Sequence, residues 1–294
     1  MSEAMGIDVS HYQGLINWGL VKDEGKKFAI MKCQYEAKGH RKDEQFDNNY
    51  NGCGYYGIAR GVYIYIARAS MADIEGDARS LLRHIDGRKL EYGIWLDLED
   101  ESLRAKGKAY IRELVYKYAS IFKNAGYYVG IYCNRDWYIN LIHDNLKHDF
   151  EFWIARYPKL DTGIYNPSSF LKPDTSLAVA WQYSSKGKVK GIDCLCDLDV
   201  DFDGAINLIA DFDNYNENPF KAPERTLRKG MIGADIMWLQ WELVMRGYDL
   251  DIDGIFGEKT QKALLSCQSY AKLKTDGIAG NVTISYLMRR GGDI

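Results

Sequence analysis

The chain has 294 residues, with 38 Lys/Arg against 41 Asp/Glu for a formal charge of −3, and is 46% hydrophobic and 27% charged. At about 150 residues per domain it is long enough for one large domain and a smaller module. Its mean hydropathy of −0.37 and its five Pro exclude collagenous, coiled-coil and disordered classes, and the absence of a basic run excludes a nucleic-acid partner held by its phosphates.

In chain order, residues 1–8 lack the basic and then apolar pattern of a signal peptide, and no later run reaches the ~18 apolar residues of a membrane span. The sequence therefore predicts synthesis in the cytosol with no signal peptide and no membrane insertion. Short apolar runs predict strands at about 5–9, 28–33, 59–66, 93–99, 128–133, 152–156, 178–183 and 194–200. Several are apolar on both faces, as strands of a parallel sheet covered by helices should be. Amphipathic spacing predicts helices at about 70–86 and 104–125, the second stopped by Gly126. Eight strands in about 200 residues predict an α/β fold, a compact variant of the eight-stranded (β/α) barrel.

A run at 213–223 with five Asn/Asp/Glu, two Pro and no periodicity predicts a linker. The expected division is a barrel over 1–212, a linker over 213–224 and a small all-α module over 225–294. Within the module, Asp253-Gly-Ile-Phe-Gly-Glu-Lys-Thr260 and Asp276-Gly-Ile-Ala-Gly-Asn-Val-Thr283 repeat one pattern 23 residues apart. Helical spacing is expected near 231–245 and 260–271. The six Cys are scattered, most in apolar runs, and predict reduced, buried thiols.

In a parallel barrel the reactive groups come from the carboxyl ends of strands. Asp8 closes the first predicted strand, Asp97 and Glu99 close the fourth, and Asp197 lies in the eighth. Asp97 and Glu99 are two apart, so both side chains share one face of a strand, about 7 Å apart along it. Burial and mutual repulsion should hold one carboxyl protonated near neutrality. A retained proton beside an ionised carboxylate is what glycoside hydrolysis requires. A single Asp-x-Glu pair is also how ordinary loops are capped; four acids converging from three strands favour the catalytic reading.

Aromatic side chains at strand ends, among them Tyr63, Tyr65, Tyr132, Trp153, Tyr157, Trp181 and Tyr183, suit a cleft for sugar rings. Lys32, Arg156 and Gln182 could bond hydroxyl and acetamido groups. Other chemistries fare worse. The run Asp199-Val-Asp-Phe-Asp203-Gly204 resembles the start of a calcium loop, but its twelfth position is Ala210 where a bidentate Glu is needed. Val200 and Phe202 alternate as in a strand. His11 near Asp8 has no second His at zinc spacing and is expected to make a structural hydrogen bond. No Gly-x-Ser-x-Gly elbow and no phosphate-binding Gly-Lys loop is present. The reading requires no cofactor and no metal.

Gly6-Ile-Asp-Val-Ser-His-Tyr-Gln-Gly14, Ile16-Asn-Trp18, Trp95-Leu-Asp-Leu-Glu99, Gly130-Ile-Tyr132, Trp153-Ile-Ala-Arg-Tyr157, Trp181-Gln-Tyr183 and Asp197-Leu-Asp199 resemble, in order and spacing, the glycoside hydrolase family 25 lysozymes. The resemblance spans about residues 5–212. It implies a flattened, irregular β/α barrel that hydrolyses the bond between N-acetylmuramic acid and N-acetylglucosamine in peptidoglycan with retention. It further implies Glu99 as general acid, Asp97 as nucleophile or as orienter of the substrate acetamido group, and Asp8 and Asp197 as flanking acids. Lys32, Tyr63, Tyr132, Arg156, Trp181 and Gln182 are the expected substrate contacts. Two stretches depart from the family pattern, Gly61-Val-Tyr-Ile-Tyr65 and Lys32-Cys-Gln-Tyr-Glu36. Leu239-Gln240, Gly247-Tyr248, Cys267-Gln268 and the two repeats resemble the small peptidoglycan-binding domain of cell-wall hydrolases. The expected partner is bacterial peptidoglycan, with oligomeric state left open. The expected setting is a phage endolysin waiting in the host cytoplasm for a holin, with a bacterial autolysin as the alternative. Rival readings are a catalytically silent wall-binding protein and an enzyme cutting wall peptide or amide bonds.

Overall fold

A computed structural model describes residues 3–35, 40–67, 70–202, 218–246, 248 and 250–288. Eight strands close a barrel in chain order: β1 (Ala4–Val9), β2 (Phe28–Lys32), β3 (Ala59–Tyr65), β4 (Ile94–Asp97), β5 (Val129–Asn134), β6 (Phe152–Ala155), β7 (Ala180–Gly187) and β8 (Cys196–Asp201). Helices α1 (Trp18–Asp23), α2 (Phe46–Tyr55), α3 (Ile74–Ile85), α4 (Glu101–Arg104), α5 (Gly107–Asn124), α6 (Arg135–Asn140) and α7 (Asp144–Asp149) fill the crossovers up to β6. The β6–β7 crossover contains no helix. Gly126, at φ +86°, follows α5 where a left-handed residue is needed to leave the helix.

One strand departs from the expected plan. β1 through β7 pair in parallel, but β8 runs antiparallel to both β7 and β1. Its amino end, not its carboxyl end, therefore lies on the rim where the other strands finish. Asp197 pairs directly with Asp8 there, Asp199 with Gly6 one layer below, and Asp201 with Ala4 lower still. A short connection explains the reversal: about eight residues between β7 and β8 suffice for a hairpin and not for a parallel crossover.

Side chains alternate along every strand. Leu198, Val200 and Phe202 join the large apolar layer between sheet and helices, while Asp199 and Asp201 turn into the barrel, accepting from Trp153 Nε1 at 2.9 Å and Tyr92 Oη at 2.7 Å. The interior is packed with rings, Phe28, Tyr92, Trp95, Tyr132 and Trp153. Such rings fit only where a facing position is small. A Cβ on Gly6 would lie 2.3 Å from the Phe28 ring, and one on Gly130 2.4 Å from Trp95. On the outer face of β3, the buried Arg60 guanidinium lies 4.2 Å from the Tyr50 ring of α2 and is neutralised by Glu91, with Nε to Oε2 at 2.9 Å.

The module contains α8 (Ala234–Met245), α9 (Glu258–Tyr270) and α10 (Asn281–Met288) around its own core of Leu227, Ile236, Leu239, Leu243, Phe256, Leu264, Cys267 and Leu287. Its two repeats fold alike. Gln240 Nε2 donates to Asp253 Oδ1 (2.7 Å), Ile255 O (3.0 Å) and Thr260 Oγ1 (3.1 Å), while its Oε1 accepts from Gly254 N (2.8 Å). Gln268 repeats this with Asp276 (3.2 Å), Ile278 O (3.0 Å), Thr283 (3.2 Å) and Gly277 N (2.9 Å). The repeated Asp-Gly-Ile-x-Gly-x-x-Thr is thus a loop wrapped around one buried amide. Asn218, Phe220 and Ala222 of the expected linker already pack on this module, Asn218 Nδ2 donating to Trp238 O and to Glu242.

The module also packs on the barrel's outer layer. α8 lies along α2, and the Arg246 guanidinium, paired with Glu242 at 2.6 Å, sits 4.3 Å from the Tyr55 ring. Among the described residues no helix is long and apolar enough to cross a membrane. Cys33, Cys53, Cys133, Cys196 and Cys267 are buried free thiols as expected, whereas Cys194 is exposed. Residues 213–217 of the linker, Glu36, Asp203, Gly204, Ala210 and Gly247 lie outside the described residues.

Candidate active site

At the rim formed by the carboxyl ends of β1–β7 and the amino end of β8, a cavity of about 230 Å³ is lined by Asp8, Lys32, Tyr63, Tyr65, Asp97, Glu99, Tyr132, Trp153, Tyr157, Gln182 and Asp197. All four acids expected from the sequence are among them. β1 and β4 deliver Asp8 and Asp97 at their ends, Glu99 follows two residues beyond β4, and Asp197 arrives from the reversed β8.

Gln182 organises one wall. Its Nε2 donates to Asp8 Oδ2 at 2.6 Å, and its Oε1 accepts from Tyr132 Oη at 2.8 Å and from Tyr157 Oη. Two phenol donors on the carbonyl oxygen fix which way the amide faces, so its NH₂ is held toward Asp8. Tyr65 Oη donates to Asp100 Oδ2 at 3.1 Å, and Asp100 Oδ1 caps α4 by accepting from Ser102 N at 2.9 Å. That bond ties the loop after Glu99 to the end of β3.

The electrostatics are those of carboxylates buried together. Burial raises the Glu99 carboxyl above its ordinary range, with the Asp100 charge adding to it. Burial, then the Glu99 and Asp161 charges, raise Asp197 to about 6. Asp8 is pushed well up by burial and by Asp197 and Asp199, and Asp199, packed against it, is pushed up by burial and Asp197. The expected repulsion is present, but the charge acting on Glu99 is Asp100, which the sequence reading did not invoke. Glu99 is partly exposed and makes no hydrogen bond or ion pair among the described residues. A proton on Glu99 is therefore not engaged by a neighbouring side chain.

Of the expected substrate contacts, Lys32, Tyr63, Tyr132 and Gln182 line the cavity; Arg156 and Trp181 do not. Arg156 Nη1 donates to Phe170 O at 3.1 Å and Leu171 O at 3.4 Å, fastening the β6–β7 crossover. Trp181 packs in the outer apolar layer and donates Nε1 to Arg156 O at 2.9 Å. Both follow from parity. Trp181 neighbours Gln182, which faces inward, so Trp181 must face out.

Tyr65, Trp153 and Tyr157 stand in the lining although the sequence placed them only among general aromatics. Asp199, beneath Asp8, is the acid that sequence reasoning did not select. The signal was there in the two-residue spacing from Asp197. His11 makes the structural bond expected of it, Nδ1 to Asp43 Oδ2 at 3.0 Å.

Comparison with known proteins is consistent with this geometry. The model described as "Glycosyl hydrolases family 25" matches residues 7–192, and "Putative peptidoglycan binding domain" matches residues 232–287. The autolytic lysozyme of Clostridium acetobutylicum is 28% identical over 281 residues, covering 95% of this chain and 76% of that protein. Lysozyme M1 of Streptomyces globisporus is 28% identical over 216 residues, 65% of each chain. The catalytic domain of endolysin ply40 from bacteriophage P40 of Listeria monocytogenes shares the fold, with a TM-score of 0.57 at 22% identity over 70% of this chain and 96% of that one.

Proposed function

The chain belongs to glycosyl hydrolases family 25, and we propose that it is a peptidoglycan muramidase whose general acid is Glu99. The observation that carries this is the convergence of Asp8, Asp97, Glu99 and Asp197 on one ring-lined cavity. Glu99, with its carboxyl raised by burial, holds a proton for the leaving oxygen of the bond between N-acetylmuramic acid and N-acetylglucosamine. Asp97, at the end of β4, faces the anomeric carbon as nucleophile or orients the substrate acetamido group so that its carbonyl attacks instead. Either route retains configuration. Asp8, its orientation fixed by Gln182, flanks the reacting centre, and Asp197, once ionised, adds negative charge that stabilises an oxocarbenium-like transition state. Lys32, Tyr63 and Tyr132 contact the sugars from the walls.

The division of labour we read is a catalytic barrel over 1–212 and, after a linker at 213–224, a module over 225–294 that holds the wall. The 232–287 match to a peptidoglycan-binding domain supports the second part. The setting is lysis of a bacterial wall, by a phage endolysin released from the host cytoplasm or by a bacterial autolysin, the role in the name of the Clostridium relative.

The test is digestion of purified peptidoglycan followed by borohydride reduction and mass spectrometry of the fragments. Reduced muramic acid ends are expected. Their absence, or full activity in Glu99→Gln, overturns the reading, and new free amino groups in their place would identify a peptide- or amide-cleaving enzyme.

A further inference from the structure

A row of rings leaves the cavity along the β1 and β2 side of the rim. Lys32, in the cavity wall, holds its ammonium 6.0 Å from the Tyr65 ring and 5.3 Å from the Tyr35 ring. Tyr35 also meets the His11 ring at 4.9 Å, and the His11 ring meets Tyr12 at 4.1 Å with planes 35° apart. The row ends at Tyr12, whose side is open: the residue is 78% exposed.

A lone exposed tyrosine is ordinary on a protein surface. This one is held from several directions. Ser10 Oγ accepts from Tyr12 N at 3.3 Å, and Ser10 N donates to Gln13 Oε1 at 2.9 Å, closing a capping box on the short 3-10 turn His11–Gln13. Gln13 Nε2 donates to Leu195 O at 3.3 Å, and Cys194 Sγ donates to Tyr12 O at 3.6 Å, so the turn is tied to the start of β8. The ring behind it is fixed too. Asp43, its side chain buried, accepts from His11 N at 3.1 Å and His11 Nδ1 at 3.0 Å, and its other oxygen accepts from Gln45 N at 2.9 Å.

We propose that Tyr12, backed by His11, is a distal sugar platform that binds an N-acetylhexosamine unit of the glycan strand beyond those at the scissile bond. This rests on the muramidase reading of the adjacent cavity. Three observations choose the occupant. Tyr12 follows Asp8 by four residues, at most about 14 Å of extended chain, so its ring is within reach of a strand that extends past the acids by a few sugars. The ring row is continuous with the cavity through Lys32. The outward neighbours are apolar, with Leu15 57% and Leu195 48% exposed, and suit the C–H face of a sugar ring. A ring carried on a fixed backbone and backed by His11 has less freedom to lose on binding, so the contact adds to affinity for long strands at a reduced entropic cost.

The experiment compares wild type, Tyr12→Ala and Tyr12→Trp on peptide-free glycan strands of four and twelve sugars. For Tyr12→Ala we expect KM on the twelve-sugar strand to rise about tenfold, the effect of one lost contact of typical strength, with kcat and all constants on the four-sugar strand unchanged. Tyr12→Trp should restore KM. Unchanged KM on the long strand, or an equal loss on both lengths, overturns the proposal. If wild type cleaves neither strand, the muramidase reading fails instead. Calorimetric binding of the two strands then decides the platform by itself: selective weakening of the long strand in Tyr12→Ala sustains it, and equal binding by both proteins ends it.

Discussion

Gln240 and Gln268 in the module are each 1% exposed, and each amide has a partner for both its oxygen and its nitrogen. Asp8 and Asp199 in the barrel are as deeply buried, at 8% and 0%, and their near neighbours include other carboxyls. Asp199 accepts from Trp153 through one oxygen and shares a hydrogen bond with the Asp8 carboxyl. Both arrangements take polar groups out of water, which is costly without partners. In the module the partners are supplied, so the buried polar groups specify one loop geometry and lend it stability. In the barrel the acids raise one another's affinity for protons, so the site stores repulsion that a substrate developing positive charge relieves. The contrast separates a folding device from a catalytic one within a single chain.

The sharpest way to break that contrast is to replace one member of each set. Glu99→Gln keeps the shape of the site and removes the transferable proton. We expect kcat on peptidoglycan to fall about 10²–10⁴-fold, the usual contribution of a general acid, with thermal stability retained. A calorimetric scan and a fragment-release assay on the same sample check both halves. Because the acid must be protonated, wild-type kcat should decline as pH rises through the raised Glu99 pKa, and a kcat profile that instead rises with pH across that range would assign the role elsewhere.

The reciprocal change is Gln268→Leu. It strands the Gly277 N–H and leaves Asp276 and Thr283 without their shared donor. Leaving buried polar groups unpaired costs about 1–3 kcal/mol, so the module should melt earlier while cleavage of short soluble fragments is unaffected. Retention on sacculi at raised temperature reads this out. Gln240→Leu should act in the same direction, since its bonds are the same. Loss of soluble-fragment cleavage in either variant would show that module and barrel share one stability.

How far the sequence carried this account depends on which signals were local. The eight strands were legible because each is a compact apolar run with alternating or two-sided burial. The repeat in the module was legible as a pattern, but its organiser was not, because Gln240 lies 13 residues before Asp253 in the loop it supports and Gln268 only eight before Asp276. The four rim acids were legible from strand ends, although Asp197 reached the rim for a different reason, the reversal of β8. Arg156 and Trp181 misled because their position in chain order was right and their parity was not. Trp181 lies on the outward face of β7, and the Arg156 guanidinium turns to the β6–β7 crossover. Charge effects were legible in direction only; Asp100, beside Glu99, acts through a loop geometry no spacing rule describes.

The last prediction concerns the cost of the repulsion itself. Asp197 has a pKa near 6 in the fold against an ordinary 3.8, so the folded state binds its proton more tightly than the unfolded chain does. Its contribution is fully present below about pH 4 and is lost as pH rises through 6. Asp197→Asn removes that loss. At pH 7 the shift corresponds to on the order of 2–3 kcal/mol, or roughly 4–12 °C in Tm for a domain of this size, with activity reduced because a flanking acid is gone. At pH 4 the Tm of variant and wild type should converge. A variant less stable than wild type at both pH values would mean that Asp197 serves the fold as Gln240 and Gln268 do, and the distinction between the two sets of buried polar groups would fail at that residue.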